Sequence, residues 1–282
     1  MRESENWTTV IGGHPAWIDL DLPHLWRYRD LIKLLVWRDF VTQYKQTILG
    51  PGWFVLTPLA TSGVFTVIFA MIAKIPTDGV PPFLFYMAGN TCWGYFAACL
   101  TQTSSTFLAN MNLFGKVYFP RMVVPLAALI SNVFKFLVQF ALFMMILLYF
   151  WLGGYAVHPH IGMLYVPLLV VQMAALSLGC GLIVSAVTAK YRDLNYGMVF
   201  GTQLWMYATP IIYPLSQVPE AYRGIVALNP MTTVVEGFRW AFLGTATLTT
   251  VHIFLGLIVT AAILLVGLVL FSRVEKTFVD TV

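Results

Sequence analysis

Apolar residues in this chain run in long uncharged blocks instead of the stripes or alternations of soluble elements. Six blocks stand out, at 54–73, 83–102, 122–152, 162–188, 196–212 and 251–271. A helix crossing a bilayer needs about 20 mainly apolar residues, so the pattern predicts six transmembrane helices. Glycine and proline punctuate them. Gly50-Pro51-Gly52 opens the first block, and Pro76, Asp78, Gly79, Pro81 and Pro82 make a short turn before the second. Phe119-Pro120 returns the chain into the third, which is long enough to tilt or project. The fifth block is short and stops at Pro210 and Pro214.

Three segments do not fit the span pattern. Residues 1–22 read as a polar, irregular leader ending at Pro23. Residues 24–50 interleave Trp26, Tyr28, Trp37 and Tyr44 with Arg27, Arg29, Lys33, Arg38 and Lys45, a mixture that favours the headgroup region. Leu31, Leu34 and Leu35 share one helical face, but Arg38 and Lys45 fall beside them. Composition, more than periodicity, therefore predicts an interfacial helix. Residues 214–244 carry Pro214, Pro219, Asn229-Pro230 and Gly237 among apolar residues, as expected of two short re-entrant helices broken at Asn229-Pro230. The polar stretch at 101–112 lines a wet cavity or packs on other helices. The expected architecture is an all-α integral membrane protein. It has a leader and interfacial helix over 1–52, a six-span domain over 53–272 and a tail over 273–282.

Charge orients this arrangement. Only 10% of the 282 residues are charged and 59% are hydrophobic, against about 25% charged in soluble domains. Of the sixteen Lys and Arg residues, twelve lie in the N-terminal segment, the second and fourth loops and the tail. Lys74, Arg223 and Arg239 lie in the other loops, and Lys135 lies inside a block. Cytoplasmic loops carry the excess of Lys and Arg, so both termini are expected in the cytoplasm. The net charge of +4 follows from that placement and does not point to nucleic acid. Residues 1–21 lack an apolar signal-peptide region. Cys92 and Cys99 are too far apart on one helix to bridge, and with Cys180 they read as small buried residues. The glycosylation sequon at Asn6 has no role on the cytoplasmic side.

Embedded catalysts need grouped acids, bases, metal ligands or nucleophiles. No Asp lies in any block, His158 and His160 lack further ligands, and phosphate-binding glycine motifs are absent. No catalytic, metal or cofactor site is expected. Asn132, Lys135 and Gln139 follow i, i+3, i+7 and share a helical face. They line a pore or hold a subunit interface, or else the span enters lipid later and Lys135 snorkels to the surface. Glu236 and Arg239 are three apart and can pair, either as structure or as part of a gate. Trp93, Tyr95, Phe96, Trp205 and Tyr207 lie deeper than the interfacial aromatics. They suit stacking on sugar C–H faces or ordinary packing.

These residues form a resemblance. The run Trp37-Arg38-Asp39-Phe40, then Tyr44-Lys45-Gln46-Thr47-Ile48-Leu49-Gly50-Pro51-Gly52-Trp53, resembles the start of type-2 ABC exporter permeases for polysaccharides, which serve O-antigen, teichoic-acid and capsule export. Tyr191-Arg192-Asp193-Leu194 is similar to that family's turn before the fifth span. Asn229-Pro230, Glu236-Gly237-Phe238-Arg239 and Leu243-Gly244 are similar to its outer re-entrant segment. The resemblance covers about residues 25–275, with Gly52 a departure where the family often has a larger apolar residue. It implies a homodimeric permease in the bacterial inner membrane, bound to two copies of a cytoplasmic ABC ATPase that brings ATP and magnesium. A lipid-linked polysaccharide would pass between the protomers. Contacts to the ATPase are expected from Arg38, Asp39, Lys45, Lys116, Arg121, Tyr191, Arg192 and Asp193. The outer gate is expected at Asn229, Pro230, Glu236 and Arg239. Export of drugs or lipids, ion-coupled transport and membrane-embedded glycan modification are the alternative functions.

Overall fold

Secondary structure follows the apolar blocks closely. A computed structural model describes residues 22–45, 47–117, 119–155, 157, 161–245 and 249–278. The leader with its sequon, the His158 and His160 pair and the last four residues lie outside them. Among the described residues every regular element is helical. The helices are α1 (Leu22–Arg27), α2 (Arg29–Tyr44), α3 (Trp53–Phe65, continuing as a π-helix over Thr66–Ile72) and α4 (Pro82–Ser104). The short α5 (Thr106–Ala109) and α6 (Met111–Phe114) precede α7 (Val123–Leu152), α8 (Val166–Thr188) and α9 (Leu194–Ala208). Last come α10 (Glu220–Ala227), α11 (Pro230–Leu243) and α12 (Thr250–Phe278).

Among the described residues, four stretches are long and apolar enough to cross a membrane: Gly50–Ile72, Val123–Leu152, Gly162–Thr188 and Thr250–Glu275. The other two blocks behave differently. α4 has 23 residues, enough length, but its last turns are polar. α9 has 15, about 22 Å of helix against a hydrocarbon core of about 30 Å. It starts at Leu194 and stops at Ala208, because Thr209 is extended ahead of Pro210, and a residue before proline is pushed out of the helical region. The expected fifth span at 196–212 is thus shorter and shifted.

α4 is the central post. Its buried face runs from Leu84 through Tyr86, Cys92, Phe96 and Cys99 to Thr103 and Ser104, packed on α3, α7, α8, α9 and α11. The polar 101–112 stretch begins in helix packing: the Thr188 hydroxyl donates to Ser104 O at 3.3 Å. A Cβ on Gly181 would stand 2.5 Å from Thr103 Cβ. α8 and α12 approach backbone to backbone, where a Cβ on Gly179 would fall 2.7 Å from Leu264 Cα. Small residues let helix backbones touch in this way.

The segment at 214–244 breaks at Asn229-Pro230 into α10 and α11, as its prolines predict. α11 is buried along almost its whole length. Phe238 and Phe242 interleave with Phe140 and Phe143 of α7, with ring centroids 5.2–6.1 Å apart. Gly244 closes the helix with φ +75°, a conformation suited to glycine.

Candidate functional site

At one end of the bundle α2 lies against α7, and polar residues connect the two through α4. α2 turns Leu31, Ile32, Leu35 and Val36 toward the bundle, with Tyr28 just ahead of it, while Leu34 and Trp37 stay exposed. Asp39 falls one turn beyond Leu35 on the inward side. Its carboxylate accepts from Arg38 Nη2 at 2.9 Å and from Gln102 Nε2 at 3.0 Å. Gln102 Oε1 accepts from Asn132 Nδ2 at 2.9 Å, and Asn132 Oδ1 accepts from Lys135 Nζ at 2.8 Å. The result is a continuous hydrogen-bonded line from Arg38 on the surface of α2 to Lys135 inside α7. On the outer side of α2, Asp30 pairs with Lys33 at 3.0 Å. The lysine holds that carboxyl below its ordinary range, though both groups are exposed and the pair adds little stability.

Lys135 ends in a cavity of about 250 Å³ lined by Trp53, Phe54, Thr57, Gly94, Tyr95, Ala98, Asn132, Phe136 and Gln139. Its ammonium stands 5.9 Å from the Phe54 ring centroid. Asn132, Lys135 and Gln139 line one cavity from their shared helical face, and Tyr95 of α4 joins them there. The other aromatic candidates are elsewhere. Trp93 and Phe96 pack together at 5.2 Å, and Phe96 meets Trp205 edge-on at 5.0 Å. Tyr207 is exposed on α9.

The gate candidates form a second site around α11, built for rigidity. Asn229 caps the helix by accepting from Met231 N at 3.1 Å. It also accepts from Trp205 Nε1 at 3.1 Å and donates to Thr209 Oγ1 at 2.9 Å, tying α9 to α11. Pro230 is buried at the first helical position. Arg239 is 1% exposed. It donates to Glu236 Oε1 at 3.1 Å, to Pro210 O at 2.6 Å and to Ile211 O at 2.8 Å. Its guanidinium carbon lies 3.5 Å from the Phe85 ring centroid, and Gly89 leaves the space, since a Cβ there would meet Nη2 at 3.2 Å. This clamp takes up carbonyls that the Pro210 break frees from helical pairing.

Most of the proposed docking residues lie at the α2 end. Lys45, Lys116, Tyr191, Arg192 and Asp193 are exposed. Arg121 turns inward instead, 8% exposed. Its main-chain N–H donates to Glu275 Oε1 and its guanidinium to Glu275 O, at 2.9 and 2.8 Å, between the rings of Phe107 and Phe114. At the opposite end the Ser216 hydroxyl donates to Asp78 at 2.7 Å, and Arg223 donates to Ser216 O and Val218 O, each at 3.2 Å.

Sequence reasoning misses Gln102, Phe54, Phe85, Gly89 and Glu275 as site residues. Gln102 carries one signal, an amide at the end of an apolar block. The others look like ordinary span, spacer or tail residues until the helices are assembled.

Residues 30–243 match the ABC-2 type transporter family. The chain is 27% identical over 255 residues to the O-antigen export system permease protein RfbA of Klebsiella pneumoniae, covering 89% of this chain and 94% of that one. It is 27% identical over 221 residues to the RfbA permease of Myxococcus xanthus, covering 77% and 82%. It is 24% identical over 213 residues to the polysialic acid transport protein KpsM of Escherichia coli, covering 74% and 80%. Matched across most of its length, and built of membrane-length apolar helices around a buried α4, the chain belongs to the ABC-2 type transporter family.

Proposed function

We propose that this chain is the permease subunit of an ATP-driven exporter that carries lipid-linked polysaccharide, an O-antigen-like glycan, across the bacterial inner membrane. The observation that carries the reading is the match to O-antigen export permeases over nearly the whole length of both chains. In this reading α3, α4, α7, α8, α9 and α12 make six crossings, and α10 and α11 re-enter from outside. Both termini are cytoplasmic, as the gathering of basic residues at the α2 end supports.

Two copies of a separate ABC ATPase dock at that end and bring ATP and magnesium. The exposed Lys45, Lys116, Arg192 and Asp193 offer charged contacts for them. A second copy of this chain closes the channel. α9 supports that role, because Tyr196, Phe200, Leu204 and Tyr207 are exposed on it and Gly197 and Gly201 have open space beside them. The clamp at Glu236 and Arg239 acts as a fixed outer wall against which such a channel opens.

Proteoliposomes holding this chain and its ATPase test the reading. The expected result is movement of lipid-linked glycan that needs ATP and the intact ATPase. Glycan movement driven by an ion gradient without ATP overturns it. Transport of drugs or lipids that free glycan does not compete with overturns the choice of substrate.

A further inference from the structure

We infer that the α3–α4–α7 cavity is a phosphate subsite for a lipid headgroup, with Lys135 as the residue that contacts the anion. The inference rests on the orientation in the reading above and goes beyond it, because it assigns a ligand chemistry to one cavity. Lys135 is half-buried. Among the described residues its ammonium makes one hydrogen bond, to the neutral amide of Asn132, and no ion pair. The nearest acid along the polar line, Asp39, is already engaged by Arg38 and Gln102. A cation held away from water beside a neutral partner keeps donors for an anion.

Depth selects the anion. α7 has 30 residues, about 45 Å of helix, some 15 Å more than the hydrocarbon core. Lys135 stands twelve residues from its start, about 18 Å along it. The polar line from Lys135 reaches α2, the interfacial helix, within three side chains. That places the ammonium near the level of the inner-leaflet phosphates, with Trp53 at the cavity wall as an interfacial ring. The apolar walls of Phe54, Ala98 and Phe136 suit the first part of a lipid chain, and Thr57 and Gln139 add polar groups beside the headgroup. A lipid phosphate from the bilayer and the phosphate of a lipid-linked substrate share this chemistry.

Native mass spectrometry of the delipidated full-length chain tests the site, with dodecyl phosphate, dodecyl glucoside, phosphatidylglycerol and inorganic phosphate as probes. Lys135→Gln keeps a hydrogen-bonding group toward Asn132 and removes the charge, and Lys135→Arg keeps the charge. Dodecyl phosphate is expected to bind Lys135→Gln about tenfold more weakly than wild type or Lys135→Arg, the loss of one charge-assisted contact. Dodecyl glucoside is expected to bind all three alike. The same Lys135 dependence for phosphatidylglycerol supports the site with bulk lipid as its source. Dependence confined to dodecyl phosphate supports a single-chain phosphate, and competition by inorganic phosphate shows that the headgroup suffices. Equal binding of dodecyl phosphate to all three proteins, or a parallel loss of dodecyl glucoside, overturns the inference. None of these readouts involves glycan or ATP, so they stand or fall apart from the export reading.

Discussion

Arg239 shows how far one side chain can be committed to structure in this protein. Its donors take two main-chain carbonyls and a carboxylate, and its flat face covers Phe85. Removing one member of a buried charged pair costs about 3–5 kcal/mol, because the remaining groups stay desolvated. Arg239→Met is therefore expected to lower thermal stability by about 3 kcal/mol, read as the melting of the purified protein in detergent. Arg239→Lys should recover only part of that loss, since an ammonium cannot reproduce the planar fork. Full stability in Arg239→Met would mean that the clamp contributes nothing. The i, i+3 spacing of Glu236 and Arg239 is visible in the sequence. The carbonyls of Pro210 and Ile211 and the space above Gly89 are not, because they come from segments far along the chain.

At the scale of elements, α8 and α12 depend on the absence of side chains. A Cβ on Gly267 would run into the carbonyl oxygen of Gly179, leaving the helices no way to stay at their present separation. Overpacking of this kind costs about 1–3 kcal/mol. Gly267→Val should cut the yield of monodisperse protein on size-exclusion chromatography, whereas Gly224→Val, with open space beside it on α10, should not. Equal yields from the two variants would show that the close approach is not needed. The α9–α11 junction makes a second case. Asn229→Ala removes a helix cap worth about 1 kcal/mol and the bonds to Trp205 and Thr209. Faster amide hydrogen exchange is expected at the start of α11, and unchanged exchange there would refute the cap. The proline break that makes this junction is legible in the sequence, but the cap's link to Trp205 depends on α9 stopping at Ala208.

For the whole molecule, the folded chain brings α2, the end of α4, the end of α8, Arg121 and the end of α12 to one pole. The 74–81 turn and the start of α10 lie at the other. A single cysteine at Lys116→Cys or Arg192→Cys is expected to resist a membrane-impermeant maleimide added outside intact spheroplasts. Gln217→Cys and Glu220→Cys should react. The reverse pattern would overturn the orientation. Cys92 and Cys99 are buried and Cys180 is half-buried, so wild type, labelled in parallel, provides the background measurement.

The sequence by itself determined an all-helical membrane protein, the break at Asn229-Pro230 and the face shared by Asn132, Lys135 and Gln139. Those properties are written in block length, proline position and helical period, all local along one chain. Tertiary structure alone decided that Asp39 turns inward to meet Gln102, that Trp93 and Phe96 pack beside Trp205 instead of joining Tyr95, and that Arg121 is held by Glu275. Each needs residues tens to more than a hundred positions apart to meet at hydrogen-bonding or ring-contact distance, and helix assembly sets such distances.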